Sequence, residues 1–143
     1  MKQIKAIIAV SLDGFIATQD NELDWIPQNV RVLLSKEYEA AHNLLMGANT
    51  YTYIFEHWGG WPYKSKKTFV VSHYDTNVTE KENVTFLTDI PLRAINEFKS
   101  SSETDIQVIG GGKFITSLIE ASLLDEITLY IVPVMLGDGI RFI

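Results

Sequence analysis

The sequence predicts an α/β fold, with a mostly parallel central sheet and helices on both of its faces. Three observations carry that expectation. Short apolar runs alternate with segments whose apolar residues recur at helical spacing along most of the chain. The run Ala6-Ile-Ile-Ala-Val10 is apolar at every position, as in a strand buried on both faces of a parallel sheet. And Asp105 to Glu120 reads as strand, glycine turn and helix in succession. An apolar run closes at Ile109, Gly110, Gly111 and Gly112 follow, and then Phe114, Ile115, Leu118 and Ile119 return at helical spacing.

Taken in order, Ile4 to Leu12 is the first strand. Asp13-Gly14 is a turn signal, and Asp13 reads first as a loop-capping residue. A polar loop from Thr18 to Asp24 leads to Trp25-Ile-Pro27. Pro27 suits a helix start and Asn29 a helix N-cap. Val30, Leu33, Leu34, Tyr38 and Ala41 then mark one helical face. Leu44-Leu-Met46 is a second strand, and a helix runs from Gly47-Ala-Asn-Thr50 towards His57. Trp58-Gly-Gly-Trp-Pro-Tyr63 is an aromatic loop, of the kind that walls a ligand, forms an interface or covers a core. Lys67 to Ser72 and Val84 to Leu87 are two more strands. Pro91 opens a helix at its favoured first position, with Leu92, Ala94, Ile95 and Phe98 facing inward. After the strand to Ile109 and the glycine-led helix, Leu124 to Val134 is a long last strand, followed by Leu136-Gly-Asp-Gly139.

Strand, glycine turn and helix is the order that sets bare backbone N–H groups and a helix N-terminus beside an anion. Glycine suits such a place because a side chain would hold the ligand off the backbone. The same residues also make a plain tight turn, since their spacing is neither the Rossmann fingerprint nor a P-loop. Position favours the dinucleotide pyrophosphate. In open α/β sheets ligands bind beyond the carboxyl ends of the strands, and four segments fall there: the loop after Val10, Gly47 to Thr50, Ser72-His73 and the triple glycine.

Composition narrows the choice further. The 143 residues suit one domain with its own core, and a hydrophobic share of 46% marks it as globular. A net charge of −6, with the acids spread along the chain, argues against nucleic acid or an anionic membrane as partner. With no cysteine there is no disulfide, thiolate metal site or cysteine nucleophile. His42, His57 and His73 share no ligand spacing, the acids from Asp20 to Asp24 read as a solvated loop, and no metal is expected. The first residues carry no long apolar signal segment, which makes the cytoplasm the expected compartment.

Four segments in matching order resemble the dihydrofolate reductase superfamily, over Ile4 to Val134. Ala9-Val-Ser-Leu-Asp-Gly-Phe-Ile-Ala17 is similar to the first strand and loop of the branch that includes the reductase domain of riboflavin biosynthesis. Leu45-Met-Gly-Ala-Asn-Thr-Tyr51 resembles the strand ending in Met-Gly and its helix, and Lys67-Thr-Phe-Val-Val-Ser-His73 the third strand. Val108-Ile-Gly-Gly-Gly-Lys113 resembles the most recognisable motif. The resemblance implies a three-layer α/β/α domain and hydride transfer from NADPH to a small heterocyclic or carbonyl substrate, pyrimidine- or pterin-like. It implies that Ala9, Ile16 and Ala17 line the nicotinamide. Gly47, Asn49 and Thr50 would meet the phosphates from one side, and Gly110, Gly111, Gly112, Lys113 and Phe114 from the other. Ser72 and His73 would lie near the adenosine end. Ile109 would form the floor; Ile7, Asn29 and Leu33 are candidates to surround the substrate, and Trp25 reads either as the roof of that pocket or as an apolar clamp on the core.

Three features depart from the family pattern. Where dihydrofolate reductase has a proton-supplying carboxylate early in its first helix, this chain has Pro27-Gln28-Asn29, and an amide supplies no proton at neutral pH. Folate is then not the expected substrate, and no side chain stands out as the catalytic acid. Where an arginine often grips the 2′-phosphate, this chain has Ala48, so NADH stands as the alternative to NADPH, with His73 or Lys113 as partial compensation. The family sheet continues with two more strands beyond the Gly-Asp-Gly region. With neither strand before Ile143, the expectation is either a truncated chain or a sheet edge completed by another chain, in a homodimer joined at the last strand. The rival readings are a nucleotide-binding module of this fold that no longer catalyses, and a true dihydrofolate reductase.

Overall fold

The computed structural model describes residues 2–20, 22–72, 83–88 and 92–142. The strands are β1 (Ile4–Ser11), β2 (Phe15–Ala17), β3 (Asn43–Gly47), β4 (Lys67–Ser72), β5 (Val84–Thr88), β6 (Ile106–Val108), β7 (Glu126–Val132) and β8 (Ile140–Arg141). The helices are α1 (Gln28–Ala40), α2 (Ala48–His57), α3 (Leu92–Ser101) and α4 (Gly112–Glu120).

The apolar run of the first strand is buried on both faces because β1 lies inside the sheet. It pairs in parallel with β6 on one side and with β7 on the other. The six-stranded sheet has the order β5-β4-β3-β6-β1-β7, with every described pairing parallel. Successive side chains on a strand point to opposite faces, and that alternation sorts the core into layers. Ile4, Ala6, Ile8 and Val10 of β1 and Leu45 of β3 pack with Ile95 and Phe98 of α3 and Ile115 and Leu118 of α4. Leu44 and Met46 of β3 pack on the other face with Ile54 of α2 and with Tyr38 and Ala41. Ala9 lies under Ile26, Val30 and Leu34 on that second face. The result is the expected three-layer α/β/α arrangement.

Several details differ from the sequence expectations. Helix α1 starts at Gln28 with Pro27 at its N-cap, at φ −59° and ψ 149°, so Asn29 is a residue inside the helix and not its cap. The fixed φ of proline already suits the entry to a helix. The last strand is shorter than Leu124 to Val134. Two short strands, β2 and β8, were invisible to periodicity because they hold three residues and two. They pair antiparallel, Phe15 opposite Arg141 and Ala17 opposite Ile140. The aromatic loop resolves into a cover: Trp61 and Tyr63 are buried, and the Trp61 and Tyr51 rings lie 4.8 Å apart, while Trp58 stays exposed. Lys66 closes the far end of α1, its ammonium donating to the carbonyls of Glu39 and Ala41. The helix start at Pro91 lies outside the described residues.

Candidate functional site

The site follows from the order of the strands. β3 and β6 are neighbours, yet the chain leaves them in opposite directions: through α2 towards β4, and through α4 towards β7. The two helices lie on opposite faces of the sheet. A crevice at the carboxyl ends of two such strands is a topological switch point. Ile109 continues the pairing past β6, its N–H donating to the Leu45 carbonyl at 3.0 Å. The two helix N-termini therefore emerge side by side.

Both begin the same way. α2 has Gly47 at its N-cap and α4 has Gly111. Neither N-cap makes a side-chain hydrogen bond, and neither helix carries an acid in its first turn. The first N–H groups of a helix have no partner inside it, and the aligned peptide dipoles leave partial positive charge there. Side-chain caps are missing from both ends, as they are from α1, so what sets α2 and α4 apart is that their starts lie side by side with glycine at the N-cap.

The glycines around this crevice divide by what a side chain would meet. A Cβ on Gly47 would lie 3.4 Å from Cβ of Phe114, and one on Gly110 would lie 3.7 Å from Phe114 Cδ2 and 3.8 Å from Thr50 Oγ1. Phe114 is thus the spacer between the two helix starts. A Cβ on Gly111 would meet nothing within 4 Å. One on Gly112 would lie 2.6 Å from the Phe142 carbonyl oxygen and 3.0 Å from its Cα, a backbone-on-backbone contact. Of these four glycines, Gly111 alone presents bare backbone to open space. Two uncapped N-termini flanking it fit a doubly charged pyrophosphate.

The remaining candidates fall into groups. Ile7, Ala9 and Ile109 are buried on the α1/α2 face of the sheet, while Ile16 packs with Val10 on the α3/α4 face. Ala17 is buried in β2 against β8. Asn49 and Lys113 are exposed and Thr50 is half-buried. Asn29 and Leu33 are exposed on α1. Ser72 is buried at the carboxyl end of β4, and His73 lies outside the described residues. Trp25 packs beside Ala9 and Val132, and its buried indole N–H has no hydrogen-bond partner among the described residues. An unmade bond on a buried donor costs about 1–3 kcal/mol, so a ligand acceptor there would be stabilising. Among the described residues no group of acids and histidines is placed to hold a metal ion, and no helix is long and apolar enough to cross a membrane.

One structural feature beside the site was only half visible in the sequence. Asp13 does cap its own turn, but it also reaches the chain's last residues. The Ser11 hydroxyl donates to Asp13 Oδ1 at 2.6 Å and accepts from the Phe15 N–H at 2.9 Å. Asp13 accepts from the N–H groups of Leu136 at 3.1 Å and Gly137 at 2.8 Å. The Ser11 hydroxyl and these N–H groups outweigh burial and hold the carboxyl down at about 2, from an ordinary 3.8. The signal was present in Leu136-Gly-Asp-Gly139, whose turn character marks a chain reversal but not its partner.

The RibD C-terminal domain family matches residues 2–143. This chain belongs to that family. Two Bacillus subtilis (strain 168) proteins are relatives, both uncharacterized. YyaP is 30% identical over 97% of this chain and 80% of its own length, and YwjB 27% identical over 93% and 78%. A crystal structure of a Shewanella sp. PV-4 protein, assigned provisionally to riboflavin biosynthesis, superposes with a TM-score of 0.79 at 28% identity, covering 98% of this chain and 82% of that one. RibD of Acinetobacter baumannii (TM-score 0.71, 15% identity, 99% of this chain and 48% of that one) shares the fold. So does dihydrofolate reductase of Enterococcus faecalis complexed with NADP(H), with a TM-score of 0.66 at 22% identity over 98% of this chain and 76% of that one. The fold is dihydrofolate reductase-like, and the family is of the reductase type.

Proposed function

We propose that this chain is an NAD(P)H-dependent reductase that passes hydride to a small flat heterocycle or carbonyl compound. One observation carries the reading: two glycine-led, uncapped helix N-termini meet at the β3/β6 switch point, with Gly111 facing open space. The relative solved with NADP(H) supports it. The reduced nicotinamide supplies the hydride. The first-turn N–H groups of α2 and α4 hold the pyrophosphate, and the buried apolar residues Ile7, Ala9 and Ile109 keep water from the reacting face. Trp25 offers its unpartnered N–H to an acceptor on the substrate. The chain's contribution is orientation. Ala48 packs against the core beside Tyr51 and Ile54, leaving Lys113 on α4 as the described cation closest in sequence to the phosphate seat. NADPH is the favoured donor on family grounds, and NADH is the alternative.

A second reading has its own support. No acid stands at Gln28 or Asn29, and Asp13 is held ionised by its donors, so neither supplies a proton at neutral pH. A binding module without turnover has the same cofactor seat. Steady-state NADPH oxidation with a panel of pterins, pyrimidines and simple carbonyl compounds separates the two. Oxidation dependent on one compound supports the reductase. Tight NADPH binding with no oxidation across the panel would establish the module instead.

A further inference from the structure

We infer that Asp13 is a positioning residue for the nicotinamide end of this site, acting as a buckle between the β1–β2 turn and the strap formed by residues 134–142. The inference rests on the reductase reading. The strap follows β7 and touches both halves of the proposed site. At its start the Leu12 N–H donates to the Val134 carbonyl at 2.9 Å, and Asp13 takes the N–H groups of Leu136 and Gly137. In its middle, Gly139 lies so close to β2 that a Cβ there would sit 2.3 Å from the Ala17 carbonyl oxygen; its φ of +146° independently favours glycine. β8 then pairs with β2, and the Phe142 N–H donates to the Gly14 carbonyl at 3.0 Å. At its end the Phe142 backbone presses on Gly112, and the Thr116 hydroxyl meets the Phe142 carbonyl at 3.5 Å. One segment thus fixes β2 relative to the start of α4, and through Ser11 and Asp13 it also ties down the carboxyl end of β1, the strand that carries Ala9.

The chemistry of residue 13 decides whether the buckle closes. A carboxylate accepts from three donors here: one hydroxyl and two backbone N–H groups. An amide has a single acceptor oxygen and turns an NH2 group towards some of those donors. Asp13→Asn should therefore open the buckle at nearly constant shape. Ser11→Ala removes the link to Phe15 while sparing the bonds to Leu136 and Gly137, and serves as the second variant.

Hydrogen exchange of the ligand-free chain tests the buckle itself. Asp13→Asn should raise exchange at residues 15–17 and 140–142 together by about tenfold or more, with β3 and β4 unchanged. Ser11→Ala should raise it mainly at 15–17. Binding tests the positioning role, with NADPH and 2′-phospho-ADP-ribose, which lacks the nicotinamide, as probes. Asp13→Asn should weaken NADPH by about tenfold and leave the fragment within about twofold. Exchange that rises only at residues 12–14, or equal weakening of both ligands, overturns the inference. Wild-type chain that binds neither probe removes the reductase reading and the nicotinamide role with it, while the exchange result still judges the buckle.

Discussion

Gly111→Val separates a ligand seat from a structural turn. Gly111 has φ −79° and ψ 168°, open to any L residue, and a side chain there meets no protein atom within 4 Å. Replacing an N-cap glycine with an apolar residue costs up to about 1 kcal/mol, and reduced freedom of the unfolded chain returns about 0.4–1 kcal/mol. The variant should therefore melt close to the wild type. Its side chain would stand where the proposed pyrophosphate approaches the backbone. Losing two or three charge-assisted hydrogen bonds of about 1.5–3 kcal/mol each lowers NADPH affinity by more than about 100-fold. Gly112→Ala is the contrast. Its Cβ meets the Phe142 carbonyl at 2.6 Å, backbone against backbone, so the strap must shift and stability falls by about 1–3 kcal/mol. Thermal denaturation and calorimetric titration with NADPH read both effects. Unchanged NADPH affinity in a folded Gly111→Val chain would refute the reasoning.

Three further outcomes are expected. Dihydrofolate should turn over slowly or not at all, and Asn29→Asp should raise that rate, within the roughly 10²–10⁴-fold range of general acid catalysis; efficient turnover by the natural chain would show that the proton comes from elsewhere. Because the folded Asp13 carboxyl is depressed to about 2 from 3.8, its stabilisation is present above 3.8 and disappears as pH falls through 2. Melting curves of Asp13→Asn should lack that component, and identical acid profiles for the two proteins would contradict it. The chain should be a homodimer through β7. Leu129 and Ile131 are exposed there, with Met135 exposed just beyond it, and among the described residues β7 pairs only with β1, so sedimentation equilibrium should show two copies rather than a monodisperse monomer at micromolar concentration.

The layers of the fold were legible because burial writes itself into periodicity. Five successive apolar residues from Ala6 announced an inner strand, and Phe114, Ile115 and Leu118 announced the face of α4. The crevice proposed to seat the phosphates was legible as a place, since the strand-to-helix turns at Gly47 and Gly110 fall at strand ends. The division of labour among the three glycines was not. Gly112 is required by Phe142, a residue distant in sequence, and no local pattern carries such a contact. The same limit hid the Asp13 bonds to Leu136 and Gly137, which span 123 and 124 positions. Asn29 was misplaced because capping preference competes with proline at the same helix end, and the fixed φ of Pro27 prevailed.

The central claim is that the crevice between β3 and β6 holds a dinucleotide by its pyrophosphate. A crystal structure of the chain grown with NADPH tests it most directly. The account predicts the pyrophosphate between residues 47–50 and 110–114, against the N–H groups that open α2 and α4, with the nicotinamide directed towards Ala9 and Ile109. NADPH seated at another place on the chain, or a pyrophosphate turned away from Gly111, would contradict it.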